Sequence, residues 1–157
     1  MMIQYSKEVM KNFLHPKNYG IMKNPDGIGK AENPECHEVM YLYIKVGKNK
    51  EGKEIIKNIK FTTYGCAATL SSASVTTQLA KGKTLEEAEK IEMEEIIGLV
   101  NGLPVIKVHC SKLGCEALKI AIKDYKENKE KNKNLIIEDD KVCLKCIEED
   151  KLFIPEK

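Results

Sequence analysis

The sequence predicts an α+β domain in which an antiparallel pair of strands is followed by helices. Residues 39–46 and 55–64 alternate apolar and polar side chains and are joined by a polar turn, which is the pattern of a hairpin. After residue 66 the period changes, and small or apolar side chains recur at helical spacing as far as residue 126. The length of 157 residues fits one domain that buries a core without disulfide bonds.

The segments before the hairpin predict a short helix and a loop. Residues 6–14 should form a helix with Ser6 as its N-cap, and Pro16 should end it. The apolar side chains of this helix are predicted to share one face: Val9, Met10, Phe13 and Leu14. Residues 19–35 contain two Asn-Pro pairs and several glycines, so the pattern predicts a long loop.

Each strand of the hairpin has one predicted core face. The core face of the first strand consists of Met40, Leu42, Ile44 and Val46. That of the second strand consists of Ile59, Phe61 and Thr63. Both sets follow the period of two that a half-buried strand requires.

Four helical segments are predicted after the hairpin. Residues 67–81 are rich in small side chains, which favours a helix packed closely on the sheet. Residues 84–87 form a capping box that opens a second helix, and residues 93–100 predict a third. Residues 103–108 are apolar and predicted to be extended, and residues 111–126 carry the most regular helical pattern.

The charge balance argues against several classes of protein. The 26 basic residues, all of them lysines, face 24 acidic residues and leave a formal charge of +2. Without arginine the chain makes no bidentate guanidinium contact to a base or a phosphate. No apolar run approaches the roughly 20 residues that cross a bilayer, and residues 1–9 do not resemble a signal peptide. We therefore expect a cytoplasmic protein without nucleic-acid or membrane partners.

The end of the chain differs in composition from the rest. Residues 126–134 contain only Lys, Glu and Asn, which indicates a solvated helix end or a linker. We therefore divide the chain into a domain at 1–126, a charged linker or helix end at 127–134 and a tail at 135–157. The tail holds Cys143 and Cys146, interpreted as an exposed thiol pair, an auxiliary metal or cluster site, or a second sulfur relay.

Three of the six cysteines lie where one element gives way to the next. Cys36 directly precedes a strand, Cys66 separates a strand from a helix, and Cys110 precedes the last helix. Helix N-termini favour the thiolate, the form that binds metal and attacks sulfur. Side chains beside these cysteines that can also bind metal are His37, Glu38 and His109. Far apart in sequence, the three cysteines can form a metal site only by converging at one end of the fold.

Three segments around these cysteines resemble the signature segments of the IscU/NifU-N family of iron–sulfur cluster assembly scaffolds: residues 33–40, 63–68 and 108–111. Residues 15–20 resemble the early loop of that family, and residues 82–88 resemble its mid-chain turn. The resemblance extends in order over residues 4–126. It implies a mostly antiparallel three-stranded sheet with helices packed on one face and the cysteines at one exposed end.

The resemblance also implies a function and a set of ligands. The implied protein is a scaffold and not a turnover enzyme: it assembles clusters from iron and desulfurase-derived sulfur, and transfers them to apoproteins. An electron donor such as ferredoxin and a homodimer belong to the same expectation. The implied ligands are Cys36, Cys66, Cys110, His109 and Glu38. We expect a [2Fe–2S] cluster, with [4Fe–4S] as the alternative, and an accessible Cys110 thiolate as the persulfide acceptor.

This chain departs from the family pattern at three positions. Glu38 stands where the family usually has aspartate, and His37 stands where it usually has glycine. The fourth ligand therefore stays open between His109, Glu38 and His37. Residues 103–107 resemble the chaperone-binding segment of the family but lack its second proline, so recognition by a dedicated chaperone also stays open.

Two other functions fit the same cysteines. Three thiolates with a histidine or a carboxylate also suit tetrahedral zinc, so a zinc-binding module is the first alternative. A thiol- or sulfur-transfer regulatory module that uses Cys143 and Cys146 is the second. Cys115 shares a helix face with Leu118 and Ile122, which predicts a packed thiol and not a ligand.

Overall fold

The computed structural model describes residues 4–130, and the predicted tail at 135–157 lies outside them. Its elements are helix α1 (Lys7–Leu14), strands β1 (Gly27–Asn33), β2 (Glu38–Lys48) and β3 (Glu54–Tyr64), helices α2 (Ala67–Ala80), α3 (Leu85–Glu89) and α4 (Met93–Leu99), a 3-10 helix (Val105–Lys107) and helix α5 (Cys110–Glu130). The strands form one antiparallel sheet in the order β1-β2-β3. The predicted α+β class and the implied three-stranded sheet are confirmed.

The hairpin of β2 and β3 agrees with most of its predicted core faces and adds one irregularity. Val46 and Thr63 are only partly buried, and Tyr43 and Thr62, on the opposite faces, are buried as well. Ile44 pairs with Ile59, but the register shifts after Lys45, so that Val46 pairs with Ile56. The extra residue on β3 turns both Ile56 and Ile59 toward the core, where each is completely buried. A strict period of two would have placed these isoleucines on opposite faces.

Strand β1 corrects the prediction of a loop over residues 19–35. Its buried positions are Gly27, Gly29 and Ala31, which have too little side chain to produce an apolar alternation. Helix α5 takes the space instead: a Cβ atom on Gly29 would lie 1.8 Å from the Ala117 carbonyl oxygen. The glycines that indicated a loop are therefore the residues that let a helix contact the sheet backbone.

The inner face of α1 also differs from the prediction. Its buried residues are Val9 and Asn12, whereas Phe13 and Leu14 are 38% and 59% exposed. Asn12 faces α2, where its Oδ1 accepts hydrogen bonds from Ser74 Oγ at 2.9 Å and from Gln78 Nε2 at 3.1 Å. Polar side chains on α2 thus turn the helix away from the orientation that its apolar residues predict.

The remaining elements follow the sequence, with one further exception. Ser6 caps α1, and Thr84 and Glu87 form the capping box of α3. Residues 105–107 form a 3-10 helix, not the extended segment that was predicted, and its Val105 and Ile106 side chains are exposed. Among the described residues, no helix combines the length and the apolar character needed to cross a membrane.

Candidate metal centre

Cys36 lies in the turn that joins β1 to β2. Asn33 and Glu38 form the last pair of the two strands, so residues 34–37 make the connection. The Asn33 side chain accepts a hydrogen bond from the Glu35 amide at 3.0 Å. His37 adopts a φ of 53°, the left-handed region that favours glycine. This turn leaves Cys36 exposed at the tip of the hairpin.

Cys66 and Cys110 lie at the starts of two helices. Cys66 is the N-cap of α2, and Cys110 is the first residue of α5. Helix N-termini carry unpaired N–H groups and partial positive charge, so both positions favour a thiolate. The α-helical starts predicted for these two cysteines are confirmed.

These segments bring three sulfur atoms and one imidazole together. Cys66 Sγ lies 3.7 Å from Cys110 Sγ, and His109 Nε2 lies 3.5 Å from Cys110 Sγ. The same His109 nitrogen lies 3.1 Å from Cys36 Sγ. His109 thus stands between the thiol at the hairpin tip and the two thiols at the helix starts.

Glu38 supplies a buried carboxylate beneath these groups and is only 4% exposed. Its Oε1 accepts a hydrogen bond from the Cys66 amide at 3.1 Å and lies 4.0 Å from Cys110 Sγ. Its Oε2 is buried and has no hydrogen-bond partner among the described residues. A buried carboxylate oxygen without a donor is costly unless a cation or a proton satisfies it.

The pKa values of this group follow from its hydrogen bonds. Burial works to raise the pKa of Glu38, but hydrogen bonds from Thr69 and from the Cys66 amide outweigh it and lower that pKa. The hydrogen bond with Cys110 lowers the pKa of Cys66 to about 5, and the same contact together with burial raises the pKa of Cys110. The contact between the two thiols therefore favours the thiolate at Cys66 over the thiolate at Cys110.

The structure brings together all five side chains that the resemblance implied as ligands. Ligand atoms of Cys36, Glu38 and His109 lie within 4.8 Å of one another, and so do those of Glu38, Cys66 and Cys110. His37 belongs to neither group. Cys115 is 6% exposed in the hydrophobic core, and burial raises its pKa to about 11, as expected for a packed thiol.

One expectation about Cys110 is not met. The acceptor role assigned to it assumed an accessible thiolate, but Cys110 is completely buried and Cys36 is the exposed thiol of the set. The start of α5 does face the site, but Glu38, Cys66 and His109 all contact the Cys110 sulfur. The role itself stays a prediction.

One contact and one electrostatic effect at the site were not anticipated from the sequence. Thr69 Oγ1 lies 3.4 Å from Cys66 Sγ, and the nearby Cys66 thiolate raises the pKa of Lys107. The spacing of three residues between an N-cap and a hydroxyl-bearing residue was a usable signal for Thr69. Lys107 had no such signal, because its place near Cys66 depends on the 3-10 helix before α5.

The fold and this donor set define a small α+β protein in which thiol, imidazole and carboxylate groups that could hold a metal ion lie together. Residues 4–132 match the family model described as the NifU-like N terminal domain. The chain belongs to this family.

Relatives and solved structures agree with that assignment. The chain is 45% identical over 121 residues to the iron-sulfur cluster assembly scaffold protein IscU 1 of Archaeoglobus fulgidus, covering 77% of this chain and 76% of that one. It is 42% identical over 129 residues to the IscU scaffold protein of Escherichia coli, covering 80% and 97%. A crystal structure of a putative scaffold protein for the SUF system from Fervidobacterium islandicum shares the fold, with a TM-score of 0.58, 24% identity and coverage of 75% and 96%.

Proposed function

We propose that this chain is a scaffold on which iron–sulfur clusters are assembled and from which they are transferred to apoproteins. The observation that carries the proposal is the meeting of five candidate ligands from distant segments: Cys36, Glu38, Cys66, His109 and Cys110. The family relationship supports it, since the relatives named above are scaffold proteins. A scaffold is a carrier of its cargo and not a turnover enzyme.

We propose a [2Fe–2S] cluster as the cargo. Each iron of such a cluster needs two protein ligands besides the two bridging sulfides. The site offers two donor pairs, Cys36 with His109 at 3.1 Å and Cys66 with Cys110 at 3.7 Å. A [4Fe–4S] cluster is the alternative, and Mössbauer spectra distinguish the two.

The mixed donor set suits a cluster that is bound temporarily. Replacing one thiolate by nitrogen or oxygen retunes an iron–sulfur site, and surrounding groups control its lability. In our assignment His109 supplies the fourth ligand, and Glu38 lies close enough to compete for either iron. A scaffold needs this compromise, because it must retain a cluster during assembly and then release it.

We propose that sulfur comes from a cysteine desulfurase and reaches Cys110. Cys110 first passes its proton to the neighbouring Cys66 thiolate, 3.7 Å away. The resulting Cys110 thiolate attacks the outer sulfur of the desulfurase persulfide, a new sulfur–sulfur bond forms on Cys110, and the desulfurase cysteine leaves as a thiolate. An electron donor such as ferredoxin reduces the persulfide sulfur to sulfide. Because Cys110 is buried and its sulfur contacts Glu38, Cys66 and His109, this transfer requires the groups around it to move. Mass spectrometry after incubation with the desulfurase tests it: Cys110→Ser should lose the added sulfur and Cys36→Ser should keep it.

Zinc is the second candidate ligand, and one observation favours it. Glu38, Cys66 and Cys110 form a compact group with one oxygen and two sulfur donors, which a tetrahedral zinc ion accepts. Zinc in the isolated protein would be compatible with the scaffold role, whereas a cluster gives a dark colour and visible absorbance after anaerobic purification.

The proposal also covers a chaperone contact, the cellular location, the oligomeric state and the end of the domain. Val105 and Ile106 are 89% and 63% exposed, which supports a contact between this segment and a chaperone. We also propose a cytoplasmic location, a homodimer and a domain that ends near residue 126. Removal of residues 135–157 should leave a folded domain, and thermal unfolding measured by circular dichroism tests that boundary.

One experiment tests the function as a whole. The protein is reconstituted anaerobically with iron, a cysteine desulfurase and cysteine, and absorption and Mössbauer spectra are recorded. The cluster-loaded protein is then mixed with an apo-ferredoxin. We expect cluster spectra first on this chain and then on the ferredoxin, and a protein that binds only zinc under these conditions would refute the scaffold function.

A further inference from the structure

Thr69 places a fully buried hydroxyl next to the candidate ligand Cys66. Its Oγ1 lies 3.4 Å from Cys66 Sγ. Side chains three residues apart lie on the same side of a helix, so the N-cap and the first turn of α2 produce this contact. A threonine in a helix often returns its hydroxyl to a carbonyl three or four residues earlier, and here a sulfur atom takes that place.

The packing around Thr69 restricts its side chain. A Cβ atom on Gly65 would lie 2.9 Å from Thr69 Cγ2, 3.0 Å from Thr69 Cβ and 3.3 Å from Thr69 Oγ1. Gly65 therefore leaves the space that the threonine side chain occupies. Because Thr69 is closed to solvent, its hydroxyl has only protein groups around it, and Cys66 Sγ at 3.4 Å is one of them.

Metal binding determines which atom donates the proton. A thiol that coordinates a metal is deprotonated, so Cys66 then has only lone pairs to offer. The Thr69 hydroxyl can both donate and accept, so toward a metal-bound thiolate it acts as the donor. The Glu38 carboxylate, whose pKa the same hydroxyl lowers, is the competing acceptor for this proton. Water cannot replace it, because Thr69 is 0% exposed.

We propose that Thr69 is a positioning residue whose hydroxyl donates a hydrogen bond to the metal-bound sulfur of Cys66 and thereby sets the reduction potential of the bound cluster. The proposal rests on the scaffold function. Hydrogen bonds to cluster sulfurs are among the factors that set reduction potentials. The donated proton stabilises the more negative, reduced cluster and withdraws electron density from the sulfur, so the potential is higher than without this hydroxyl.

Three variants of Thr69 separate the hydroxyl from the methyl group. Thr69→Val removes the hydroxyl and keeps the shape, and Thr69→Ser keeps the hydroxyl and removes the methyl group. Thr69→Ala removes both, so the serine and alanine variants differ only in the hydroxyl. This second pair keeps the test decisive if the valine variant does not fold.

Two measurements are made on each full-length variant. The first is the reduction potential of the reconstituted cluster, and the second is the sulfur-to-metal charge-transfer band of the protein loaded with cobalt(II). We expect the valine and alanine variants to have a lower potential and a cobalt band at longer wavelength, whereas the serine variant matches the wild type. Equal values for the serine and alanine variants would overturn the proposal, because the hydroxyl would then have no effect.

The cobalt measurement separates this proposal from the scaffold function. If the wild type binds cobalt but assembles no cluster from iron and sulfide, the scaffold function is refuted. The hydrogen bond to Cys66 is then judged from the cobalt band alone. A difference between the serine and alanine variants in that band supports the contact, and no difference refutes it.

Discussion

Two regions of the domain are closely packed, but with opposite results: the contact of α5 with β1, and the end that carries the cysteines. In the first region the two backbones are in direct contact, because Gly27 and Gly29 leave no room for a Cβ atom next to Ala117 and Ala121. At the second, thiols, an imidazole and a carboxylate crowd together with one buried oxygen that has no partner among the described residues. The first region contributes to the stability of the fold, and the second keeps unsatisfied groups available for a ligand.

The largest effect should follow from a substitution in the first region. Gly29→Ala would place a Cβ atom 1.8 Å from the Ala117 carbonyl oxygen and 2.7 Å from the Ala121 amide nitrogen, both backbone atoms. We expect the free energy of unfolding to fall by about 3 kcal/mol, near the upper end for an overpacked core. Chemical denaturation followed by circular dichroism measures it.

Gly98→Ala is the matched control for that substitution. Gly98 lies in α4, and nothing lies within 4 Å of a Cβ atom built there. The alanine should stabilise the protein by up to about 1 kcal/mol through helix propensity. A similar loss in both variants would mean that the contact between α5 and β1 is not what makes Gly29 indispensable.

The same contact explains which part of the fold the sequence could not predict. Strands β2 and β3 alternate apolar and polar residues, and this alternation was sufficient to predict that both segments form strands. The pattern of β1 was concealed because its core-facing residues are Gly27, Gly29 and Ala31, and glycines next to prolines usually indicate a loop. A strand that packs directly against a helix backbone needs small residues on that face. The apolar pattern that indicates such packing is therefore found in the sequence of the helix and not in that of the strand.

The second largest effect should follow from loss of a candidate ligand. Cys36→Ser, Cys66→Ser and Cys110→Ser should each abolish or strongly impair cluster retention, because each removes one of the three thiols that the described part of the chain brings to the site. The loss should exceed the roughly 10–100-fold that changes around a metal site usually cost. Iron and sulfide content after anaerobic reconstitution and desalting measures it.

Cys115→Ser is the control for the ligand variants. Cys115 lies on α5 like Cys110, but it is packed in the hydrophobic core and belongs to neither group of ligand atoms. Its substitution should leave cluster retention nearly unchanged. Full cluster occupancy in any two of the three ligand variants would refute the assigned site.

The candidate site could be predicted in composition but not in burial. Each cysteine adjoins a change of element in the sequence, and the resemblance supplied the candidates His109 and Glu38. Cys36 is exposed because it lies in the turn between β1 and β2, whereas Cys110 is buried where its sulfur contacts Glu38, Cys66 and His109. That arrangement is set by tertiary contacts, which local sequence patterns do not describe.

A smaller effect, with opposite signs on two properties, is expected for Glu38→Ala. Without the carboxylate the pocket is more apolar and less hydrated, so the cluster should withstand a chelator several-fold longer and transfer more slowly to an apo-ferredoxin. The fold should lose about 1–3 kcal/mol, because the Cys66 amide loses its acceptor. Glu38→Gln keeps an acceptor oxygen and should restore most of that stability.

His109→Ala completes the comparison of the two candidate fourth ligands. The imidazole nitrogen contacts the sulfurs of both Cys36 and Cys110, so its removal should shorten cluster retention. If Glu38→Ala instead loses its cluster at once while His109→Ala keeps it, the carboxylate is the indispensable ligand. The explanation of lability through Glu38 would then be wrong.

The smallest effect concerns His37, which combines a backbone cost with a place beside the site. Its φ of 53° costs an ordinary residue roughly 1–2 kcal/mol, and glycine loses about 0.5–1 kcal/mol more entropy on folding. His37→Gly should therefore stabilise the fold by about 1.5 kcal/mol at most. Asn101→Gly, at a φ of 56° in another loop, is the matched control.

Because the His37 ring belongs to neither group of ligand atoms, both variants should retain the cluster like the wild type. If His37→Gly alone releases the cluster, His37 is a ligand and the hairpin tip contributes two donors to the site.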